Sequence, residues 1–371
     1  MTIGAGLRIA LVGPLPPPAG GMANQTRQLA DLLRKDGVQV DVVQVNADYW
    51  PGWVSGITGV RALFRLAPYL IRLWRATGEA QVVHVMANSG WSWHLFAAPA
   101  VWIARLRSVP VVVNYRGGGA EAFFAKSYHW VAPTLRQAAA VVVPSAFLQQ
   151  IFAQREIGAS IIPNIVDLAR FGLPGRIAQG ASQHIVVTRN LEPIYDIDTA
   201  LKAFSLVHAR LPEARLSIAG SGAELDRLKR LADTLGIAAA VTFCGSIDNA
   251  MIAELYRGAD LMLNPSTVDN APISILEALA SGVPVVSTNV GGVPFLVKDR
   301  QTALLVPPGD APAMAGAAIE LLTDRTVARR LSDAGRRAAE QFAWPVVRRG
   351  WLDVYQMLAH SETTGKTAEV E

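Results

Sequence analysis

Residues Leu7–Gln44 read LRIALVGPLPPPAGGMANQTRQLADLLRKDGVQVDVVQ, and the fold follows from them. Leu7 to Gly13 is a short apolar strand, Gly13 to Gly21 a proline- and glycine-rich loop, Met22 to Lys35 a helix, and Gln39 to Gln44 a second strand. This is a strand–helix–strand opening. Working outward, apolar strands recur at Gln81 to Met86, Pro110 to Asn114, Ala139 to Val143 and Ser160 to Ile162. Each is short and lacks polar alternation, as parallel strands covered on both faces do.

Asn164 to Gln183 holds Gly172, Pro174, Gly175 and Gly180 without a sustained period, so 166–183 reads as a linker. A second alternation follows, with strands at Ile185 to Thr188, Arg215 to Ala219, Val241 to Cys244, Leu261 to Asn264 and Pro284 to Ser287. Helices are expected between them, and at Ala311 to Leu322 and Thr326 to Phe342. The predicted class is α/β, with two Rossmann-like, doubly wound parallel-sheet domains facing a central cleft. Their limits are 1–165 and 184–342, followed by a helix at 343–360 that crosses back to the first domain and a flexible tail at 361–371.

Composition narrows the function. The chain has 371 residues, 51% hydrophobic and 17% charged, which excludes intrinsic disorder and a small disulfide scaffold. The net charge of +4 suits acidic ligands but is small for a nucleic-acid binder, so no nucleic acid is expected as a partner. Cys244 is the single cysteine, and the six histidines show no metal-ligand spacing, so no metal and no cofactor are expected. The opening MTIGAGLRIALVGPLPPP lacks the basic and long apolar regions of a signal peptide, and no stretch approaches the ~20 apolar residues of a membrane span. A cytoplasmic protein is expected.

In open parallel sheets, ligands bind beyond the carboxyl ends of the strands. Three loops there stand out. Gly20 and Gly21, just before the first helix, let backbone N–H groups approach an anion, although a tight turn explains such a pair equally well. Gly220-Ser221-Gly222 invites a dinucleotide reading. The third glycine of that fingerprint would fall at Leu225, however, and no acid ends the next strand, so a nicotinamide enzyme is not expected. The third loop, Asn264 to Glu277, runs NPSTVDNAPISILE. Pro272 suits the first turn of a helix and leaves the N–H groups of Ile273 and Ser274 for a diphosphate. Asp269 precedes that helix and Glu277 lies inside it, so one ligand could meet both carboxylates; equally, Asp269 could favour the helix start and Glu277 pair with a surface base.

These residues carry a resemblance. Leu263-Asn-Pro-Ser, Asp269 with seven residues before Glu277, Glu277-Ala-Leu-Ala-Ser-Gly-Val-Pro-Val-Val and Gly291-Gly-Val-Pro together resemble the donor-binding half of glycosyltransferase family 4. Gly20-Gly21, Ile162-Pro-Asn-Ile-Val-Asp167, Leu216 to Gly222, Phe243-Cys-Gly245, Gly309-Asp310 and Phe342-Ala-Trp344 fall in that family's order. The resemblance implies a GT-B fold, a nucleotide-sugar donor on the second domain and a glycan or lipid-linked acceptor on the first. It further implies metal-independent transfer with retention of configuration, as in cell-surface polysaccharide synthesis. It places Glu277 on the ribose, Arg189 on the diphosphate, and Ser246 and Ile247 beside the base. Asn270, Ala271, Pro272, Ile273 and Ser274 would lie along the sugar and diphosphate, with Gly20, Gly21 and Gly222 completing the donor set.

Three departures stand out. The family's first glutamate is Asp269, the usual lysine after the arginine is absent around Tyr195, and Asn114-Tyr-Arg116-Gly replaces a histidine before glycine. Arg116 is expected to supply the missing cation, or alternatively to pair with Glu121. Arg189, Asp269, Glu277 and Arg116 are thus the candidate catalytic residues, acting on the charge of a leaving diphosphate. A nucleotide-sugar epimerase and a non-catalytic nucleotide-binding partner of an assembly complex are the rival readings.

Gly59 to Ala76 reads as an amphipathic helix, with Arg61, Arg65, Arg72 and Arg75 in one wedge opposite Leu63, Leu66, Leu70, Leu73 and Trp74. Pro68 should kink it. The arginines stand in water on a crossover helix, or attract anionic lipid as a peripheral membrane contact at the inner face; the two are compatible. Tyr49, Trp50 and Trp53 just upstream suit an interface. His84, His94, Trp102 and Trp351 read as structural, the tryptophans as core or helix-packing residues.

Overall fold

The computed structural model describes residues 6–17, 20–47, 61–172 and 183–367. The chain divides into two compact units, Met1–Ile165 with Val347–Glu371, and Val166–Val346. In the first, β1 (Arg8–Gly13), α1 (Gly21–Lys35), β2 (Gln39–Gln44), α2 (Arg61–Glu79), β3 (Val82–Ala87), α3 (Ala98–Leu106), β4 (Val111–Tyr115), α4 (Ala120–Leu135), β5 (Ala140–Val143), α5 (Ala146–Ala153) and β6 (Ser160–Ile161) follow in order. The strands form one parallel sheet in the order β2-β1-β3-β4-β5-β6. β3 and β4 are buried at every residue, which accounts for their unbroken apolar sequence.

Strand order reverses after β2, so right-handed crossovers put α1 on one face and α2 to α5 on the other. Leu73, Ala100, Phe124 and Phe152, one from each of these four helices, share a single core with Val83, Val111 and Val141 of the strands.

The second unit runs α6 (Leu168–Phe171), β7 (His184–Thr188), α7 (Ile197–Arg210), β8 (Arg215–Ala219), α8 (Leu225–Thr234), β9 (Val241–Gly245), α9 (Asn249–Arg257), β10 (Leu261–Asn264), α10 (Ile273–Ala280), β11 (Val285–Thr288), α11 (Val293–Leu296), β12 (Leu304–Val306), α12 (Ala311–Thr323) and α13 (Arg325–Ala339). Its parallel sheet is ordered β12-β11-β10-β7-β8-β9. Both sheets are doubly wound, as the alternation predicts.

Several details differ from the expectation. Residues 166–172 are part of the second unit and not a linker: Val166 bridges Ala343, Asp167 caps α6 by accepting from the N–H of Ala169 and Arg170, and Phe171 is buried in the core. Residues 173–182 lie outside the described residues. The last helix, α14 (Trp344–Thr367), runs past residue 360 because no proline interrupts it, and from Val347 it belongs to the first unit.

Trp351 is buried in the core, and Trp102, 47% exposed, packs α3 on α4, its indole N–H donating to Thr134 Oγ1 at 3.0 Å. In α2, Leu73 is buried, whereas Trp74 is 44% exposed, with Arg107 stacked 4.6 Å from its ring centre. Among the four arginines, Arg72 and Arg75 are exposed and Arg65 is half-buried; the Arg61 side chain and Tyr49, Trp50 and Trp53 lie outside the described residues. Among the described residues no helix is long and apolar enough to cross a membrane.

Candidate functional site

The carboxyl edge of the second sheet is polar and buried where its neighbouring strands are apolar. Asn264, Ser266, Ser287 and Thr288 are all fully buried there. Asn264 Nδ2 donates to Ser287 Oγ at 2.9 Å, which leaves Asn264 Oδ1 to accept from Ser266 Oγ at 3.2 Å and from Arg189 Nε at 2.7 Å. The Thr288 hydroxyl donates to Ser266 O at 2.6 Å and pins the same loop. Both polar atoms of the Asn264 amide are thus bonded, and the Nδ2 bond to Ser287 turns Oδ1 toward the arginine that leaves β7.

The other end of that arginine pairs with Asp269: Nη2 contacts Oδ2, with the two side chains 11% and 10% exposed. Its guanidinium lies 5.1 Å from the ring centre of Tyr195, near the position of the absent lysine. Burial raises the Tyr195 phenol above its ordinary range, and the adjacent Arg189 opposes that rise. Two of the predicted catalytic side chains are therefore bonded to each other, and an incoming anion must share Arg189 with Asp269.

Asp269 sits on a loop pressed against the next one. Its Oδ1 accepts from the Asn270 N–H at 3.0 Å, and its carbonyl accepts from the Gly292 N–H at 3.0 Å. A Cβ at Gly292 would stand 1.7 Å from Asn270 O, so only glycine lets these loops meet. Gly222 is likewise pressed on the Leu191 carbonyl, at 2.2 Å for an added Cβ, which gives this predicted donor residue a packing role. Ser246 is exposed and Ile247 half-buried, just past β9.

Pro272 caps α10 instead of standing in its first turn: its ψ of 116 is extended, and the helix begins at Ile273. The N–H groups of Ile275 and Leu276 turn back to Pro272 O at 3.2 and 3.5 Å. Those of Ile273 and Ser274 have no acceptor within the helix and carry its positive end. Ser274 is 7% exposed and its hydroxyl has no hydrogen-bond partner among the described residues. Its carbonyl accepts from the Tyr256 hydroxyl at 2.9 Å, so the Thr188 hydroxyl, 2.6 Å away, is the donor to Tyr256. This relay ties α9 and β7 to the start of α10.

One turn further on, Glu277 is half-buried, and its carboxylate makes no hydrogen bond among the described residues. Burial pushes its carboxyl from the ordinary 4.5 up to about 8, against the pull of Arg189 and Arg170. A raised carboxyl holds its proton in the folded chain, so the associated stability is full below pH 4.5 and is lost as pH rises through 8. The ligand-free wild type should therefore lose melting temperature from pH 5 to pH 9 relative to Glu277→Gln. Parallel melting profiles for the two proteins would contradict this.

The first unit holds the remaining candidates. Arg116 follows β4, its main chain bonded to Ala87 O at 2.9 Å and its guanidinium donating to Asn114 Oδ1 at 3.4 Å and to Asn164 Oδ1. Burial pulls it down to about 10, so it stays charged at neutral pH. Asn114 Nδ2 in turn donates to His84 Nε2 at 3.1 Å. His84, pulled down to about 3 by burial and by Arg116, is neutral and gives its Nδ1 proton to the Tyr355 hydroxyl at 2.6 Å. Gly20 is extended and precedes α1 without a side-chain cap, leaving the N–H groups of Gly21 and Met22 without an intrahelical acceptor. Asn264 and Gly292 fall within the quoted motifs without a role of their own there, and Tyr256 carries no signal in the sequence.

Two parallel sheets, each doubly wound and with a cation and a helix N-terminus at its carboxyl edge, define a protein of the Rossmann-like class. Comparison with known proteins identifies the family. The profile for "Glycosyl transferase 4-like domain" matches residues 20–164 and that for "Glycosyl transferases group 1" matches 178–338, leaving only the ends and the junction uncovered. The chain belongs to the family 4 glycosyltransferases, with the GT-B fold.

Among curated relatives, the glycogen synthase of Mycobacterium tuberculosis (strain CDC 1551 / Oshkosh) is 27% identical over 70% of this chain and 66% of its own length. The chain thus spans just under two thirds of that protein. The phosphatidyl-myo-inositol mannosyltransferase of Mycobacterium leprae is 24% identical over 98% of this chain and all of its own. Among solved structures, Anabaena HepE in complex with UDP and glucose is 20% identical, covers 94% of this chain and 99% of its own, and superposes with a TM-score of 0.74.

Proposed function

We propose that this protein moves a hexose-type sugar from a nucleoside diphosphate sugar to a glycan or lipid-linked saccharide acceptor, in cell-surface polysaccharide synthesis. The carrying observation is the arrangement on α10. The Ile273 and Ser274 N–H groups lie at its start, Arg189 pairs with Asp269 on the loop leading into it, and Glu277, with no hydrogen bond among the described residues, lies four residues on from Ile273, about 6 Å along the axis. A diphosphate fits the first feature and ribose hydroxyls the second. The UDP in the Anabaena structure makes UDP the first donor nucleotide to test. The lipid named in the Mycobacterium leprae mannosyltransferase supports a lipid-linked acceptor.

Chemistry follows from charge. As the anomeric carbon becomes cationic, the leaving diphosphate gains negative charge, and Arg189 with the α10 N-terminus stabilises that charge more strongly than the ground state. In this reading Arg116 is the second cation of the reaction and Asp269 the sugar-hydroxyl contact. Transfer retains configuration, as the family resemblance implies, and needs no metal in this reading, because fixed cations take the diphosphate charge. The reading places the enzyme at the inner membrane face, with the α2 arginines meeting lipid.

The test is turnover of UDP-hexoses with and without a saccharide acceptor. The expected result is acceptor-dependent UDP release and a product with the donor's anomeric coupling by NMR. Nucleotide binding without any turnover would instead favour the non-catalytic reading, which the Arg189–Asp269 pair and the missing lysine support.

A further inference from the structure

We infer that Asp269 makes the second unit select an intact nucleoside diphosphate sugar over the free nucleoside diphosphate that transfer leaves behind. The inference rests on the donor reading above and adds to it the discrimination of substrate from product.

Arg189 is held on three sides. Its Nε donates to Asn264 Oδ1 at 2.7 Å, its Nη2 to Asp269 Oδ2, and its guanidinium lies 5.1 Å from the ring centre of Tyr195. Nη1 makes no hydrogen bond among the described residues, so a phosphate oxygen can reach the cation there while the carboxylate keeps Nη2. Phosphate and carboxylate then meet on one guanidinium. The Asp269 side chain is 10% exposed, so water and salt screen that encounter little.

The surrounding loop adds no second cation. Arg189-Asn-Leu-Glu192-Pro-Ile-Tyr195-Asp196 contains no lysine, and the Tyr195 phenol feels one cation, Arg189, against two acids, Asp269 and Glu192. Arg189 and Asp269 cancel, which leaves the N-terminus of α10 as the positive end facing a ligand.

Substrate and product differ at this point in charge and in hydroxyls. A terminal phosphate carries about 1.5 to 2 negative charges at neutral pH, and the same phosphate esterified to a sugar about one. The sugar also brings hydroxyl donors. Asp269 Oδ1 accepts from the Asn270 N–H at 3.0 Å and Oδ2 from Arg189, and each oxygen keeps a lone pair for a hydroxyl. The carboxylate therefore repels the terminal phosphate of the product and accepts from the sugar of the substrate, a discrimination built from one repulsive and one attractive contact.

The test is calorimetric titration of the full chain as wild type, Asp269→Asn and Asp269→Glu. The ligands are UDP with UDP-glucose, GDP with GDP-mannose, and ADP with ADP-glucose, and melting curves check that each variant folds. Wild type and Asp269→Glu should bind a sugar nucleotide more tightly than its nucleoside diphosphate. Asp269→Asn should bind that nucleoside diphosphate at least about tenfold more tightly than wild type does, and the sugar nucleotide more weakly. A gain in affinity is a result that a damaged fold does not produce. If Asp269→Asn does not fold, the wild-type preference and its retention in Asp269→Glu carry the test. Unchanged or weaker binding of the nucleoside diphosphate by Asp269→Asn overturns the inference and leaves the donor reading standing, as does a wild type that prefers the free nucleoside diphosphate in every pair. Absence of binding by all six ligands overturns the donor reading, and the inference with it.

Discussion

Arg189→Ala should lower kcat/KM for sugar transfer by about 10² to 10³, the range for removing a preorganised donor from developing transition-state charge. The same change should cost stability, because Asp269, 10% exposed, is left as a buried carboxylate without its cation. Breaking such a pair costs about 3 kcal/mol or more. The two effects separate in Arg189→Ala/Asp269→Asn, which removes the stranded charge. Its denaturant midpoint should recover most of the loss while turnover stays low. If turnover returns with stability, Arg189 is a structural residue and the diphosphate assignment is wrong.

Gly292→Ala should damage the same site from a residue that touches no ligand in this account. The new Cβ would meet Asn270 O at 1.7 Å and its carbonyl carbon at 2.6 Å, and both are backbone atoms that cannot rotate aside. The loop of Asp269 and Asn270 must then shift, losing the Gly292 N–H to Asp269 O bond and moving Asp269 relative to Arg189. The expected cost is about 2 to 4 kcal/mol, together with at least a tenfold loss of nucleotide affinity. Gly316→Ala is the control: it lies within α12 with nothing within 4 Å, and should gain about 0.5 to 1 kcal/mol. Equal effects from the two changes would remove the argument from loop contact.

The fold was legible because its signals are local. Each strand is a short apolar run followed by a helical period, and β3, β4 and β10 are buried on both faces as their composition requires. At the junction, Gly172 and Pro174 read as a linker. Yet Val166, Asp167 and Phe171 act through long-range partners that sequence does not display. In the site, charge and helix starts were visible at Arg189, Pro272 and Glu277. The Arg189–Asp269 pair was not, because it joins residues 80 apart on neighbouring loops. Hydrophobicity alone leaves Trp102 either in the core or between helices. An indole can also lie on the surface with its N–H satisfied, as this one does through Thr134.

The central claim is that the second unit holds a nucleoside diphosphate on Arg189 and the start of α10. Thermal melting of the wild type and Arg189→Ala with UDP, GDP or ADP at matched concentration tests it most directly. A ligand that binds only the folded chain at about 100 times its Kd should raise the wild-type melting temperature by roughly 5 to 10 °C. The account predicts that rise for one nucleotide, UDP first among them, and its loss in the alanine variant. No stabilisation by any of the three, or equal stabilisation of both proteins, would contradict it.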